Sequence, residues 1–457
     1  MDKEKRYSEA LEWIHGLGRF GIKPGLGRIT ALLEHLGNPH HNVQFVHLAG
    51  TNGKGSTAVM LASILREAGY RVGLYTSPYL LSFTNRMAVN GDDIKQDDLI
   101  ELVDQVRPLV EKINKDPELG VMTEFEVVTT LALTYFSRAN LDLVVLETGL
   151  GGRLDATNVV DPLLSIITNV SLEHTDVLGD TVEKIAVEKA GIIKPKRPLL
   201  TAAEDPRVLK VLEERCIEQN SGIYRVYAAV DGKGTLVGKN PKAALQEISP
   251  EGQSFCYEGS FFNFDRIFLP LRGAYQVTNA ATALAALELL EKEGFKVSEA
   301  ELRSGLEKTE WPGRLELLSK NPQLIMDGAH NPAAIENLAR SLPGYFKYSN
   351  LILVVGMMAD KDISAMLEKI LPLADKVIFT RPVLPRAADP RELAAVATGQ
   401  LEFEREYYVI NDHGAALEKA LELAGPQDAV LVTGSLYTVS DVRSYWQDSR
   451  ANKVKLQ

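Results

Sequence analysis

The feature that most restricts the fold is a seven-residue run, Val43-Gln-Phe-Val-His-Leu-Ala49, that passes without a break into Gly50-Thr-Asn-Gly-Lys-Gly-Ser-Thr57. The periodicity predicts a buried strand over 43–49 and a helix from the loop through Ala68. In that context the loop residues Thr51, Asn52, Gly53, Lys54, Gly55 and Ser56 form a phosphate cradle. Glycines let backbone N–H groups turn inward, the helix N-terminus adds partial positive charge, Lys54 adds a mobile cation, and the Ser56 hydroxyl reaches a magnesium ion. The usual P-loop has four residues between its glycines and Ser or Thr directly after Lys. Here Thr51 and Asn52 alone separate Gly50 from Gly53, and Gly55 stands between Lys54 and Ser56. The bland alternative is a tight strand-to-helix turn with a solvent lysine. ATP binding is the reading adopted.

After this loop, short aliphatic runs alternate with helical patterns, which indicates a mostly parallel sheet covered by helices. Strands are expected over 71–75, 141–147, 163–168 and 198–202, and helices over 97–112, 125–139, 181–190 and 206–219. From Ile223 to Leu271 the texture becomes Gly-rich, aromatic and alternating, as in an antiparallel β insertion. An Ala-rich helix over 277–292 follows, and Glu310-Trp-Pro-Gly-Arg314 reads as a hinge in which Pro and Gly stop the preceding helix. Beyond it, strands are expected over 323–326, 351–355, 376–380 and 429–433, with a helix over 332–340. At roughly 150 residues per domain the 457-residue length suggests three domains. The pattern instead gives two: a large P-loop ATPase-like α/β domain with a mostly parallel sheet and a β-rich insertion (1–310), and a smaller C-terminal α/β, Rossmann-like domain (311–457).

Composition excludes several functions. The net charge of −11 argues against a protein that grips nucleic acid or an anionic membrane. Two separated cysteines, Cys216 and Cys256, form neither a disulfide framework nor a zinc site. No apolar run approaches the about 18 residues of a membrane span, and the amino terminus lacks the apolar core of a signal peptide. A cytoplasmic protein acting on small molecules, as a monomer, is expected.

Glu147 ends a strand and His174 follows another, at the carboxyl edge where parallel sheets bind ligands. Magnesium prefers hard oxygens, which suits Glu147 and Ser56 and makes His174 a less usual ligand. A solvated carboxylate and a structural histidine are the bland alternatives. Helical spacing puts Lys189 on a surface face, paired with Glu188 or Glu183. Gly149-x-Gly151-Gly152 lacks the full dinucleotide fingerprint, so no nicotinamide cofactor is read.

The segment His47-Leu-Ala-Gly-Thr-Asn-Gly-Lys-Gly-Ser-Thr57 resembles the phosphate loop of the Mur ligase superfamily. The surroundings resemble its folylpolyglutamate synthase/dihydrofolate synthase branch, of the bifunctional bacterial type. Matching segments run in order along the chain: Lys23-Pro-Gly-Leu26, Thr76-Ser-Pro-Tyr-Leu80, Thr123-Glu-Phe-Glu126, Glu147-Thr-Gly-Leu-Gly-Gly-Arg-Leu-Asp-Ala-Thr-Asn158, Glu173-His174, Glu188-Lys-Ala-Gly191, Asn279-Ala-Ala281, Trp311-Pro-Gly-Arg314, Asp327-Gly-Ala-His-Asn-Pro332, Asp360-Lys-Asp362 and Gly434-Ser-Leu-Tyr437.

The resemblance implies magnesium held by Ser56, Ser77, Glu147 and His174, and a carbamylated Lys189 that turns a cation into an anion beside it. It assigns ATP contacts to Asn279, Arg314 and Asp327. An arginine on a hinged domain suits a phosphate, and an Asp at a strand end suits a ribose hydroxyl. Lys23, Gly25, Leu26, Phe125, Arg153, Leu154, Asp155 and Ala156 are implied to bind a pterin-bearing substrate, on whose flat ring Phe125 stacks, although an apolar residue at a helix start is more often core. Leu154-Asp-Ala-Thr-Asn158 is more like members that also accept dihydropteroate. His330 and Ser435 are the candidates for gripping L-glutamate, and His330 is a candidate base.

The implied activity activates the carboxylate of dihydropteroate or a reduced folate as an acyl phosphate, which the glutamate amine then displaces. Lys54 and Lys189 serve the phosphoryl step by neutralising and fixing charge. Three rivals stand beside it: a Mur-type ligase for a cell-wall nucleotide precursor, disfavoured because no separate domain precedes the phosphate loop; a P-loop kinase that needs no glutamate; and a nucleotide-binding module without catalysis.

Overall fold

The computed structural model describes residues 3–20, 24–230 and 240–455. They divide into two compact units, Met1–Leu245 with Phe255–Phe268 and Val277–Thr309, and Gln246–Ser254 with Leu269–Gln276 and Glu310–Gln457.

The first unit is built on an eight-stranded sheet. Six strands are parallel, in the order Val72–Tyr75, Leu143–Glu147, Phe45–Ala49, Leu164–Ile167, Leu199–Thr201 and Ile223–Arg225. Met87–Val89 and Asp92–Asp93 extend it antiparallel at one edge. Every residue of Phe45–Ala49, Leu143–Glu147 and Leu164–Ile167 is buried, as expected of strands covered on both faces. Leu48 lies opposite Glu147 and Ala49 opposite Ile167. That register delivers Gly50, Thr148 and Thr168 to one edge of the sheet, where Thr148 N donates to Leu48 O and Thr168 N to Ala49 O.

Helices clothe this sheet in two apolar clusters. One joins Phe45, Tyr75, Val144 and Leu146 to the helices Lys3–Gly16, Gly27–His35, Gln96–Ile113 and Glu124–Arg138. The other joins Ala49, Ile167 and Leu199 to Val182–Ala190 and Pro206–Glu218. The insertion departs from expectation. Ile223–Arg225 is the last parallel strand of the main sheet, and Tyr227–Ala229 pairs parallel, not antiparallel, with Lys242–Ala244. Short strands carry too little periodicity to reveal their partner's direction. The four-stranded order is Asn263–Leu269, Gly252–Glu258, Lys242–Ser249, Tyr227–Ala229.

The second unit holds a six-stranded sheet ordered Glu316–Lys320, Gln323–Met326, Ala429–Thr433, Leu351–Val355, Lys376–Phe379 and Tyr407–Val409. All neighbours are parallel except the first pair. Asp327 N donates to Val432 O and Gly356 N to Thr433 O, so the loops after three strands share one edge. Two sequence expectations are corrected here. The helix beginning at Pro332 continues to Tyr345, through Pro343 in its last turn rather than ending at Arg340. The helix before the Trp311-Pro-Gly segment, Glu299–Glu307, ends at its cap Lys308, so it stops before Pro312 is reached.

The helix that starts at the phosphate loop, Lys54–Glu67, is held by Glu299–Glu307 at their closest approach. Ser63 Oγ donates to Gly305 O at 2.7 Å, and a methyl carbon at Gly305 would stand 2.4 Å from Ile64 Cα. Backbone yields less readily than a side-chain end, so Gly305→Ala is expected to cost about 2 kcal/mol by overpacking. Urea unfolding checks this; an unchanged midpoint would show that the two helices separate freely.

Candidate active site

Gly50 and Gly53 adopt φ values of 154° and 87°, so both sit where a side chain is strained. Their neighbours leave no room either: a methyl carbon would fall 1.9 Å from Thr168 Oγ1 at Gly50 and 2.3 Å from Asn279 Oδ1 at Gly53. The loop is therefore pressed between the Leu164–Ile167 strand end and the helix Tyr275–Leu290 that carries Asn279. Asn169 holds it most directly, accepting from Thr51 N with its carbonyl (3.0 Å) and from Asn52 N with Oδ1 (2.8 Å). Thr168 Oγ1 donates to Asn52 O (2.7 Å), and Ser171 N donates to Thr51 Oγ1 (3.0 Å). Sequence reading passed over Thr168, Asn169 and Ser171. The available signal was their position just after a buried strand next to the loop strand.

Gly53 caps the helix Lys54–Glu67, whose first amides have no intrahelical acceptor and so offer an N-terminal anion site. Lys54 Nζ curls back to donate to Gly50 O (3.0 Å) and Thr51 O (3.3 Å), 4.0 Å from Glu147 Oε1. Glu147 is buried and accepts from Ser77 N at 3.2 Å.

The surface pairing expected for Lys189 is overturned. It is buried, and its Nζ donates to the same Gly50 carbonyl at 2.9 Å. Glu188 instead pairs with Arg153 (2.8 Å), and Glu183 lies 3.8 Å from Arg207. Burial pushes the Lys189 pKa down to about 7, with the Lys54 charge adding to the effect and Glu173 and Asp155 opposing it. A helical pattern reports which side of a helix is polar but not what docks on it.

Among the described residues no group of three or more His, Cys, Asp or Glu side chains gathers as a metal cage. The oxygens at the loop, Ser56 Oγ and the Glu147 carboxylate, nevertheless fit magnesium, which takes one or two carboxylates and completes its shell with phosphate and water. Ser77 meets Glu147 through its backbone. His174 stands in left-handed conformation (φ 52°) ahead of the short helix Thr175–Leu178.

Phe125 lies in the first turn of Glu124–Arg138, whose cap Thr123 shares a capping box with Glu126. Its ring covers Gly149, where a methyl carbon would stand 2.4 Å away. Asp155 and Ala156 are buried, Leu154 is partly so, and Arg153 is exposed. Leu26 precedes the helix Gly27–His35 and packs on the first core cluster; Gly25, beside it, has φ 150°. Lys23 lies outside the described residues.

In the second unit Asp327 is buried and accepts from Leu315 N and Ala329 N, both at 2.9 Å. Burial raises its pKa, opposed first by Arg314. The Arg314 guanidinium donates to Gly313 O (3.1 Å). His330 Nδ1 stands 2.9 Å from Gly328 O, which makes Nδ1 the protonated nitrogen. Ser435 Oγ accepts from Tyr437 N (3.1 Å), capping the helix Leu436–Lys455. Asp327, His330 and Ser435 share the carboxyl edge of this sheet.

The Asn169→Ala substitution tests the loop's anchorage. Losing the Oδ1 acceptor is expected to weaken binding of a non-hydrolysable ATP analogue about tenfold, one hydrogen bond's worth. Calorimetric titration reads it, and an unchanged affinity would mean that the loop holds its shape unaided.

Comparison with known proteins gives the family. Residues 48–287 match the Mur ligase middle domain and residues 313–436 the Mur ligase, glutamate ligase domain. A dihydrofolate synthase/folylpolyglutamate synthase of Bacillus subtilis is 38% identical over 439 residues, covering 96% of this chain and 98% of that protein. The crystal structure of folylpolyglutamate synthase from Thermotoga maritima superposes with a TM-score of 0.82 at 37% identity, covering 98% of both chains. Escherichia coli FolC in complex with DHPP and ADP gives a TM-score of 0.83 at 31% identity, covering 96% of this chain and 98% of the other. The chain belongs to the dihydrofolate synthase/folylpolyglutamate synthase family of Mur ligases.

Proposed function

We propose that this protein is an ATP-dependent ligase that joins L-glutamate to dihydropteroate, to tetrahydrofolate and its polyglutamates, or to both, releasing ADP and phosphate. The observation that carries the reading is the meeting of Lys54 and Lys189 on one carbonyl of a phosphate loop that also faces Glu147. Family membership and the DHPP and ADP bound to the Escherichia coli relative support it. The Leu154-Asp-Ala-Thr-Asn158 form favours dihydropteroate as one acceptor.

A carboxylate does not acylate an amine at neutral pH because oxide is a poor leaving group. The substrate carboxylate oxygen attacks the γ-phosphorus of ATP, the bond to the bridging oxygen breaks, and ADP leaves an acyl phosphate. The glutamate nitrogen then attacks the acyl carbon, phosphate departs, and the amine proton passes to a base, a role we give to His330. Lys54 and the first amides of its helix neutralise charge on the transferred group. Ser56 and Glu147, with Ser77 and His174 completing the set, would hold a magnesium ion, which would supply further positive charge to the phosphate oxygens. Thr51, Asn52, Gly53 and Gly55 shape the cradle, and Asn279, Arg314 and Asp327 take the rest of the nucleotide. The loop of Lys23, Gly25 and Leu26, together with Phe125, Arg153, Leu154, Asp155 and Ala156, takes the pterin, and Ser435 the incoming glutamate.

In this division residues 1–310 form the ATP- and folate-binding domain, and residues 311–457 form the glutamate-ligase domain that also supplies Arg314 and Asp327. The acidic net charge and the small-molecule site favour a monomer acting in the cytoplasm without nucleic acid or membrane partners. Among the described residues no helix is long and apolar enough to cross a membrane.

The deciding experiment measures phosphate release from ATP and magnesium with dihydropteroate, tetrahydrofolate and glutamate added singly and in pairs. Release is expected only when glutamate and one pterin are both present, and Lys54→Ala should abolish it with the fold intact. Turnover indifferent to glutamate would refute the ligase.

We further propose that Lys189 is carbamylated. Its neutral nitrogen adds to the carbon of CO2 and loses a proton to solvent, leaving an anion. The folded pKa lies below the ordinary lysine value, so the neutral form grows as pH rises through about 7. Carbamate signal in 13C NMR under labelled CO2 should therefore increase between about pH 6 and pH 8. Its absence throughout, with no rescue of Lys189→Ala by CO2 and short acids, would remove the modification.

A further inference from the structure

The central strand carries a histidine that none of this chemistry uses. His47 is fully buried within Phe45–Ala49, and its Nε2 stands 2.8 Å from Thr157 Oγ1. Thr157 Oγ1 in turn donates to Asp155 Oδ1. The hydroxyl proton being committed there, the ring must be the donor through Nε2–H. Burial, with Lys194 adding to it, pushes the His47 pKa down to about 3, in keeping with a neutral ring. Nδ1 is buried and meets no hydrogen-bond partner among the described residues. A buried nitrogen left unpaired is costly, and an aliphatic residue in this strand would avoid the cost. The ring's one polar contact is thus the feature that calls for a role.

That contact leads to a loop. Besides Thr157 Oγ1, Asp155 accepts from Thr157 N (3.0 Å), Gly149 N (3.0 Å) and Leu150 N (2.8 Å). The run from His47 through Thr157 to Asp155 therefore ties the strand that ends in the phosphate loop to both ends of the 149–157 turn. The far side of the turn is fastened as well. Arg153 N donates to Glu188 O (2.7 Å), and Asn158 Nδ2 donates to Arg153 O (3.0 Å) and Gly191 O (3.1 Å). Glycines make this approach possible: a methyl carbon at Gly152 would lie 2.9 Å from Lys189 O, and one at Gly191 2.3 Å from Arg153 Cα. The turn is held between His47 and the helix end that carries Lys189.

We propose that His47 is a positioning residue for the pterin-bearing substrate, acting through Thr157 and Asp155 to fix the Gly149 and Leu150 amides and the turn on which Phe125 rests. The proposal rests on the ligase reading above and adds His47 and Thr157 to it. A residue that merely filled space would be replaceable by any side chain of its volume, whereas a relay needs a donor at 47 and a hydroxyl at 157.

The test compares His47→Leu, His47→Gln, Thr157→Val and Thr157→Ser with the wild type in the phosphate-release assay, with KM measured separately for dihydropteroate, tetrahydrofolate and ATP. Thr157→Val and His47→Leu are expected to raise the KM for the pterin about tenfold, the loss of one hydrogen bond, with the KM for ATP changed less than about twofold. His47→Gln and Thr157→Ser, which keep a donor and a hydroxyl, should recover most of the loss. Hydrogen exchange at the Gly149 and Leu150 amides, read without substrate, should quicken about tenfold in Thr157→Val. If His47→Leu does not fold, Thr157→Val decides. Unchanged pterin KM together with unchanged exchange overturns the relay, as does an equal rise for ATP and pterin. A wild type that turns over neither pterin refutes the ligase reading instead, and the exchange measurement then still decides the relay.

Discussion

Two ammonium groups share one carbonyl oxygen, that of Gly50, and the site is organised around that contact. Lys54 reaches it from the helix that follows the loop and Lys189 from a helix more than a hundred residues later. The carbonyl is offered only because Gly50 takes a φ of 154° against Thr168, a conformation closed to side-chain-bearing residues both by torsion and by space. Two like charges so close, one of them buried, are unfavourable. The lysine with no access to water responds with a pKa lowered to about 7. A group so placed gains by losing its positive charge, which sets Lys189 apart from the surface lysines of the chain.

The same geometry reconciles an acidic protein with anionic ligands. A net charge of −11 spread over the surface is screened by salt, whereas Lys54 and the first amides of Lys54–Glu67 act over a few ångströms at a partly buried loop. Bulk charge therefore does not decide whether a local site can hold phosphate. Glu147, buried 4.0 Å from Lys54, adds a carboxylate of the kind a small divalent ion prefers.

The turn at 149–158 joins the functions of the first unit. Asp155 gathers its amides, Arg153 and Asn158 bind it to the end of the Lys189 helix, and Phe125 rests on Gly149. Most of these contacts are made by backbone atoms of glycines and by short polar side chains, which allow approaches that larger residues forbid. A disturbance of the turn is accordingly felt at Phe125 and at the end of the Lys189 helix together.

The sequence by itself determined the elements and the chemistry of the loop. Phe45–Ala49, Leu143–Glu147 and Leu164–Ile167 were legible because a strand buried on both faces is a continuous apolar run, and Gly50 to Ser56 because glycine, lysine and serine in that order between a strand and a helix have few other uses. It misdirected where contacts are non-local. Lys189 looked like a surface residue because helical periodicity is blind to the carbonyl that docks on it. Ile223–Arg225 looked like the start of an antiparallel insertion because three residues do not encode their partner. Thr168, Asn169 and Ser171 were passed over because their position just after a buried strand does not say which loop, more than a hundred residues away, lies beside it. Only the tertiary structure decided which strand ends meet at Gly50, since the parallel register, set by packing across the whole sheet, brings together groups that the chain keeps far apart.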